Sequence, residues 1–84
     1  MYYVYVLQSK KDKNIYIGYS TDLKKKFEAH NNGRVKSTKP RAPFILVYYE
    51  AYGNKKDATE REYFLKTHQQ RDLLRERLKY SLEK

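Results

Sequence analysis

Five residues spread over this chain carry the side chains that hydrolysis of a phosphodiester demands: Tyr5, Tyr16, Lys26, His30 and Glu62. That reaction needs a base to prepare water and a cation to hold the non-bridging oxygens, usually with a divalent ion to support the leaving group. The two phenols can position or deprotonate water, Lys26 can neutralise phosphate, and His30 can shuttle a proton. Glu62 can hold Mg2+ or Mn2+ through a carboxylate oxygen. A phenol is an awkward base, because its ordinary pKa is about 10, so neighbouring cations must favour the phenolate. Each residue also has a plainer reading. The tyrosines fill a core, the Lys24-Lys25-Lys26 run is a solvated face, and His30 is favoured at a helix C-terminus by the helix dipole. Glu62 is the hardest to explain away, since a carboxylate beside an apolar stripe needs either a cation or something to coordinate.

The elements that must position these groups follow from patterning. Tyr2 to Leu7 reads as a strand with Val4 and Val6 on one face and Tyr3, Tyr5 and Leu7 on the other. Ser9 to Lys13 is a polar turn, and Ile15 to Tyr19 is a second strand, with Ile15 and Ile17 facing one way and Tyr16 and Gly18 the other. If the hairpin register places Tyr5 near Tyr16, the two rings sit side by side on one face. Gly18, at a strand end, permits a bulge or a close backbone approach and is grouped with the substrate-binding candidates. Ser20, Thr21 and Asp22 are N-cap residues, and Gly33 lies where the following helix should stop. Lys26 and His30, four apart, lie one turn over the other. Asn31 to Pro43 reads as a basic, exposed, mobile loop, whose Arg34, Lys36, Lys39 and Arg41 are candidates for gripping a phosphate backbone. Phe44 to Tyr49 is apolar on both faces and predicts a central or well covered strand. Asn54 caps a second helix, with Ala58 and Leu65 inward, Phe64 covering the flank and Glu62 close to the stripe. A last helix is predicted over about 71–82, on the spacing of Leu74, Leu78 and Leu82.

Length and charge bound the partners. The chain has 84 residues, room for one domain spanning 1–84, and no internal repeat. Nineteen Lys and Arg against ten Asp and Glu give +9 at pH 7, which predicts a polyanionic partner, with DNA ahead of an anionic membrane surface. No run is long or apolar enough to span a bilayer, no leader precedes the first strand, and there is no cysteine for a disulfide or thiolate metal site. A cytoplasmic setting is the expectation.

Four pieces in order, "YVYVLQS", "IYIG", "STDLKKKFEAHN" and "ATEREYFLK", resemble the GIY-YIG nuclease domain in its small stand-alone bacterial form, related to the nuclease half of a DNA excision-repair protein. The resemblance covers nearly the whole chain. It implies an α/β fold of the α+β type, a three-stranded antiparallel sheet flanked by helices in the order β-β-α-β-α-α, and cleavage of DNA with a single divalent ion. It also implies that Tyr5 and Tyr16 are the two motif tyrosines, that Lys26 stands at a catalytic arginine position with His30 one turn on, and that Glu62 is the metal-binding glutamate. Lysine offers a point charge where arginine offers a planar two-pronged donor. A weakened, nucleic-acid-binding module is therefore the alternative to a DNA endonuclease of weak sequence preference, and a domain serving acidic protein partners is the third reading.

Overall fold

A computed structural model describes residues 1–84 and has the expected element order. Strand β1 (Tyr2–Ser9) and strand β2 (Ile15–Ser20) form an antiparallel hairpin, helix α1 (Leu23–Asn31) follows, and strand β3 (Phe44–Tyr52) pairs antiparallel with β1. Helices α2 (Lys55–Leu65) and α3 (His68–Arg77) complete the chain. No helix is long and apolar enough to cross a membrane.

The sheet order is β2-β1-β3, so β1 is the central strand and the only one hydrogen-bonded on both sides. Its alternation therefore feeds two cores. Val4 and Val6 join Ile15, Ile17, Ala58, Leu65, Leu74 and Leu78 on the face covered by α2 and α3. Tyr5 and Leu7 join Phe44 on the opposite face, where Leu23 and Phe27 of α1 pack over them. The expectation that Phe44 to Tyr49 is central is corrected. β3 is an edge strand with Leu46 and Tyr49 exposed, so its apolar run marks neither a second strand neighbour nor full cover on both faces.

Three other expectations change. α3 begins at His68, taking up His68, Gln69 and Gln70 as its first turn, and ends at Arg77, with Leu82 packing from the turns beyond. Phe64 is exposed and lies under the Arg61 guanidinium, 5.4 Å from the ring centre, so it does not cover the helix flank. The basic segment before β3 is pinned rather than loose. The Asn31 side chain donates to Phe44 O and accepts from Phe44 N at 2.6 Å, Ser9 Oγ donates to Arg41 O, and Lys39–Arg41 forms a 3-10 turn.

Local capping fixes α1 and α2 where the side chains of interest need them. Asp22 accepts from Lys25 N at the start of α1, and Gly33 leaves it at φ +69°, a conformation glycine adopts without a Cβ penalty. Asn54 accepts from Lys56 N at the start of α2. The chain end is held as firmly. The buried Gln8 carboxamide donates to Glu83 O and accepts from Glu83 N, both at 2.8 Å, as a strand backbone would.

Candidate active site

The hairpin register pairs Tyr5 with Gly18, and the Tyr5 ring lies across the glycine. A Cβ on Gly18 would fall 2.3 Å from the Tyr5 hydroxyl and 2.4 Å from Cζ. Gly18 is buried, and its backbone is not in the left-handed region that would call for glycine. The close approach this glycine permits is that of the Tyr5 ring.

Laid across β2, the Tyr5 ring reaches α1. Its hydroxyl is 2.9 Å from His30 Nε2, and His30 Nδ1 is 2.8 Å from Thr38 Oγ1. Tyr5 is 1% exposed, His30 0% and Thr38 1%, so this chain of polar atoms is sealed from solvent. Rings cage the imidazole: Tyr16 at 5.0 Å between centres, Tyr5 at 5.8 Å and Phe44 at 5.8 Å, all edge-on. Tyr16, 6.4 Å from Tyr5, is half-buried, and its hydroxyl has no protein partner.

Burial sets the protonation of the pair. It pushes the Tyr5 phenol up, and the neighbouring Tyr16 and Glu62 add to the effect. The protein groups alone thus favour the neutral O–H of Tyr5. Burial also lowers His30, with the Lys26 ammonium second, so the imidazole is held neutral. The unfolded chain takes up the His30 proton near its ordinary pKa of about 6.5 while the folded one resists it. The contribution is full above that pH and drains as pH falls through it, with a slope of at most about 1.4 kcal/mol per pH unit. Urea titrations between pH 7.5 and 5.5 should show this loss in the wild type, and His30→Gln should remove that part of the slope.

Two further groups approach from either side of the sheet. Lys26 is half-buried, makes no ion pair, and lines a groove of about 410 Å³ with Lys25 and Arg34 and with the Asp22 and Glu28 carboxylates. Glu62 comes from α2, on the other face. Ala58 and Leu65 point from that helix into the core, and Arg61 and Glu62 flank their stripe about 100° apart. Arg61 reaches the Glu50 carboxylate on β3 through Nε at 3.0 Å and Nη2 at 3.2 Å, and Glu62 lies on the other flank of the stripe. Its charge acts on Tyr5 from there. Its side chain is 22% exposed and pairs with Lys66 at 3.0 Å.

The structure thus joins Tyr5, Tyr16 and His30 in direct contact, with Lys26 and Glu62 within electrostatic reach. The other basic candidates separate. Arg34 shares the Lys26 groove, and Lys36 and Lys39 are exposed in the loop. Arg41 is committed to Asp12 at 2.8 Å, a partner that also holds the Asp12 carboxyl below its ordinary range. Sequence reasoning missed Thr38 and Phe44. Nothing in a run of basic and small residues marks one threonine as buried. It also missed the clamp in which Glu50 accepts from Tyr48, Tyr52 and Arg61. There burial pulls the Glu50 carboxyl up, but those three donors outweigh it and hold it below the carboxylate range, while burial and Glu50 push the Tyr52 phenol up to about 12. The repeat of Tyr48, Glu50 and Tyr52 along one strand face was the available signal.

No three His, Cys, Asp or Glu side chains cluster to form a protein-only metal cage. A lone carboxylate nevertheless fits Mg2+, which keeps several waters and is commonly held by one or two carboxylates together with substrate phosphates.

Comparison with known proteins bears on this arrangement. Residues 1–77 match the family described as the GIY-YIG catalytic domain. UPF0213 protein CPE1444 of Clostridium perfringens is 46% identical over 67 residues, covering 79% of this chain and 71% of its own length. UPF0213 protein SH2523 of Staphylococcus haemolyticus is 42% identical over 67 residues, covering 79% and 80%. The solution NMR structure of UPF0213 protein BH0048 from Bacillus halodurans aligns with a TM-score of 0.55 at 36% identity, over 88% of this chain and 82% of that one.

Proposed function

The chain belongs to the GIY-YIG catalytic domain family, in its small UPF0213 form, and from that nuclease membership we propose that it is a divalent-metal-dependent DNA endonuclease of weak sequence preference. The observation that carries this reading is the sealed contact between the Tyr5 hydroxyl and His30 Nε2 beneath a half-buried Tyr16, with an unpaired lysine one helical turn away.

The attacking water rests against Tyr16, the free one of the two phenols. Because the Tyr5 oxygen is sealed from solvent, Tyr16 is the relay: it takes the water's proton and passes its own to the Tyr5 oxygen as the Tyr5 proton moves to His30 Nε2, so the positive charge ends on the imidazole and no free phenolate forms. Lys26 holds the non-bridging phosphate oxygens. Once it does so, its charge is shared with the phosphate and depresses His30 less, which makes the imidazole a better acceptor when substrate is in place. Glu62 is the residue that would hold Mg2+ or Mn2+, and the ion supplies neutralisation of charge on the leaving oxygen. Arg34, Lys36 and Lys39 contact the flanking backbone, and with a net charge of +9 the affinity should fall steeply with salt.

Nicking of supercoiled plasmid with Mg2+ or Mn2+ tests the reading. Lys26→Ala should slow nicking about 10²-fold, the usual loss for one charge-stabilising group, and Lys26→Arg should match or exceed wild type, because arginine supplies the bidentate geometry. If neither wild type nor Lys26→Arg cuts while salt-dependent binding persists, the domain is a binding module that has lost cleavage. Salt-independent or absent binding would instead favour an acidic protein partner.

A further inference from the structure

We infer that Thr38 is a positioning residue that fixes the tautomer of His30, holding Nδ1 protonated and leaving the Nε2 lone pair for the Tyr5 hydroxyl. The inference rests on the proposed nuclease reading for its catalytic meaning, and on geometry for the tautomer itself.

Three protons must be placed along the sealed chain of atoms: those of the Tyr5 hydroxyl, the neutral imidazole and the Thr38 hydroxyl. Thr38 Oγ1 lies 2.8 Å from His30 Nδ1 and 3.3 Å from Val35 O, which can only accept. With the proton on Nδ1, every donor is used. Nδ1–H donates to Thr38 Oγ1, Thr38 O–H donates to Val35 O, and Tyr5 O–H donates to Nε2 at 2.9 Å. Val35 O also takes the Thr38 and Lys39 N–H groups at 3.1 and 2.9 Å, so the Thr38 hydroxyl is its third and longest partner. With the proton on Nε2, the imidazole donates to the Tyr5 oxygen and Thr38 donates to Nδ1. The Tyr5 proton then has no protein acceptor, in a residue that is 1% exposed. The first arrangement makes three bonds and the second two, and a buried unspent donor is disfavoured.

The consequence is directional. Only an unprotonated Nε2 can receive the Tyr5 proton, and once it has, Thr38 still accepts from Nδ1–H, so the imidazolium keeps both of its bonds. A neutral hydroxyl here does the orienting that a carboxylate does beside the histidine of a hydrolase triad. Thr38 also stands between Lys36 and Lys39 at the start of the 3-10 turn, which ties the loop proposed to hold DNA to the orientation of the imidazole.

Imidazole 15N NMR decides the matter, with the exposed His68 as internal reference. The wild type should show His30 protonated on Nδ1 and bare on Nε2. Thr38→Val should move the proton toward Nε2 and lower the nicking rate about 10- to 100-fold, the range usual for partners that orient a functional histidine, with KM unchanged, and Thr38→Ser should restore both. Thr38→Ala serves as second variant should valine disturb folding. A wild-type His30 protonated on Nε2, or Thr38 variants that change neither spectrum nor rate, would overturn the inference. A protein with the expected tautomer that never cuts DNA would leave the positioning standing and sink the nuclease reading alone.

Discussion

Glu62→Gln is expected to leave the protein folded and to reduce metal-stimulated nicking by about 10³-fold, equivalent to roughly 4 kcal/mol of barrier. The carboxamide keeps the shape of a side chain that flanks the Ala58 and Leu65 stripe, and the lost partner, Lys66, belongs to a partly exposed i,i+4 pair of the kind that contributes little to stability. What disappears is the charge an ion requires. The variant also separates two roles. Glu62 helps to push the Tyr5 phenol up, so its neutralisation lets that phenol lose its proton more readily. Were the field on Tyr5 its whole contribution, glutamine would preserve or raise the rate. Nicking rate against Mn2+ concentration, with Mn2+ binding followed by water-proton relaxation, distinguishes these outcomes. Undiminished nicking with unaltered Mn2+ binding would remove Glu62 from the site.

Gly18→Ala should be the most damaging single methyl in the chain. The added carbon meets the Tyr5 hydroxyl at 2.3 Å and Cζ at 2.4 Å, far inside contact distance, and the ring has nowhere to retreat because Leu23 and Phe27 pack over it and His30 holds its tip. Overpacking of this kind costs about 3 kcal/mol at the upper end of its usual range. For a domain of this size that lowers Tm by roughly 10–20 °C. Thermal melts of Gly18→Ala, Tyr5→Ala and the double variant form a cycle. The alanine at position 18 should cost little once the ring is gone, whereas equal losses in both backgrounds would mean that the strand itself, and not the ring, rejects a side chain there.

The elements that alternate cleanly were legible in the sequence. The two faces of β1, the Asp22 and Asn54 caps and the Gly33 stop follow from local chemistry and stand as the patterning predicts. The nearness of Tyr5 and Tyr16 was legible too, because a hairpin joins them. The standing of β3 was not. Which strand lies in the centre depends on a pairing between residues some 40 positions apart, and an edge strand can carry as apolar a run as a central one. Gly18 was read as a place of close approach without its visitor, because the visitor comes from the neighbouring strand. Thr38 carried no sign at all, since its value lies in the histidine it meets across the fold.

The grip of Gln8 on Glu83 ties the turns beyond α3 to the middle of the sheet. Both hydrogen bonds join residues 75 positions apart, and one end sits in the central strand. Without residue 83 the buried carboxamide would keep only its bond to Lys13 O at 3.1 Å, and a buried polar group left unpaired costs about 1–3 kcal/mol. A proteolytic clip in that tail would therefore loosen the central strand rather than a frayed end.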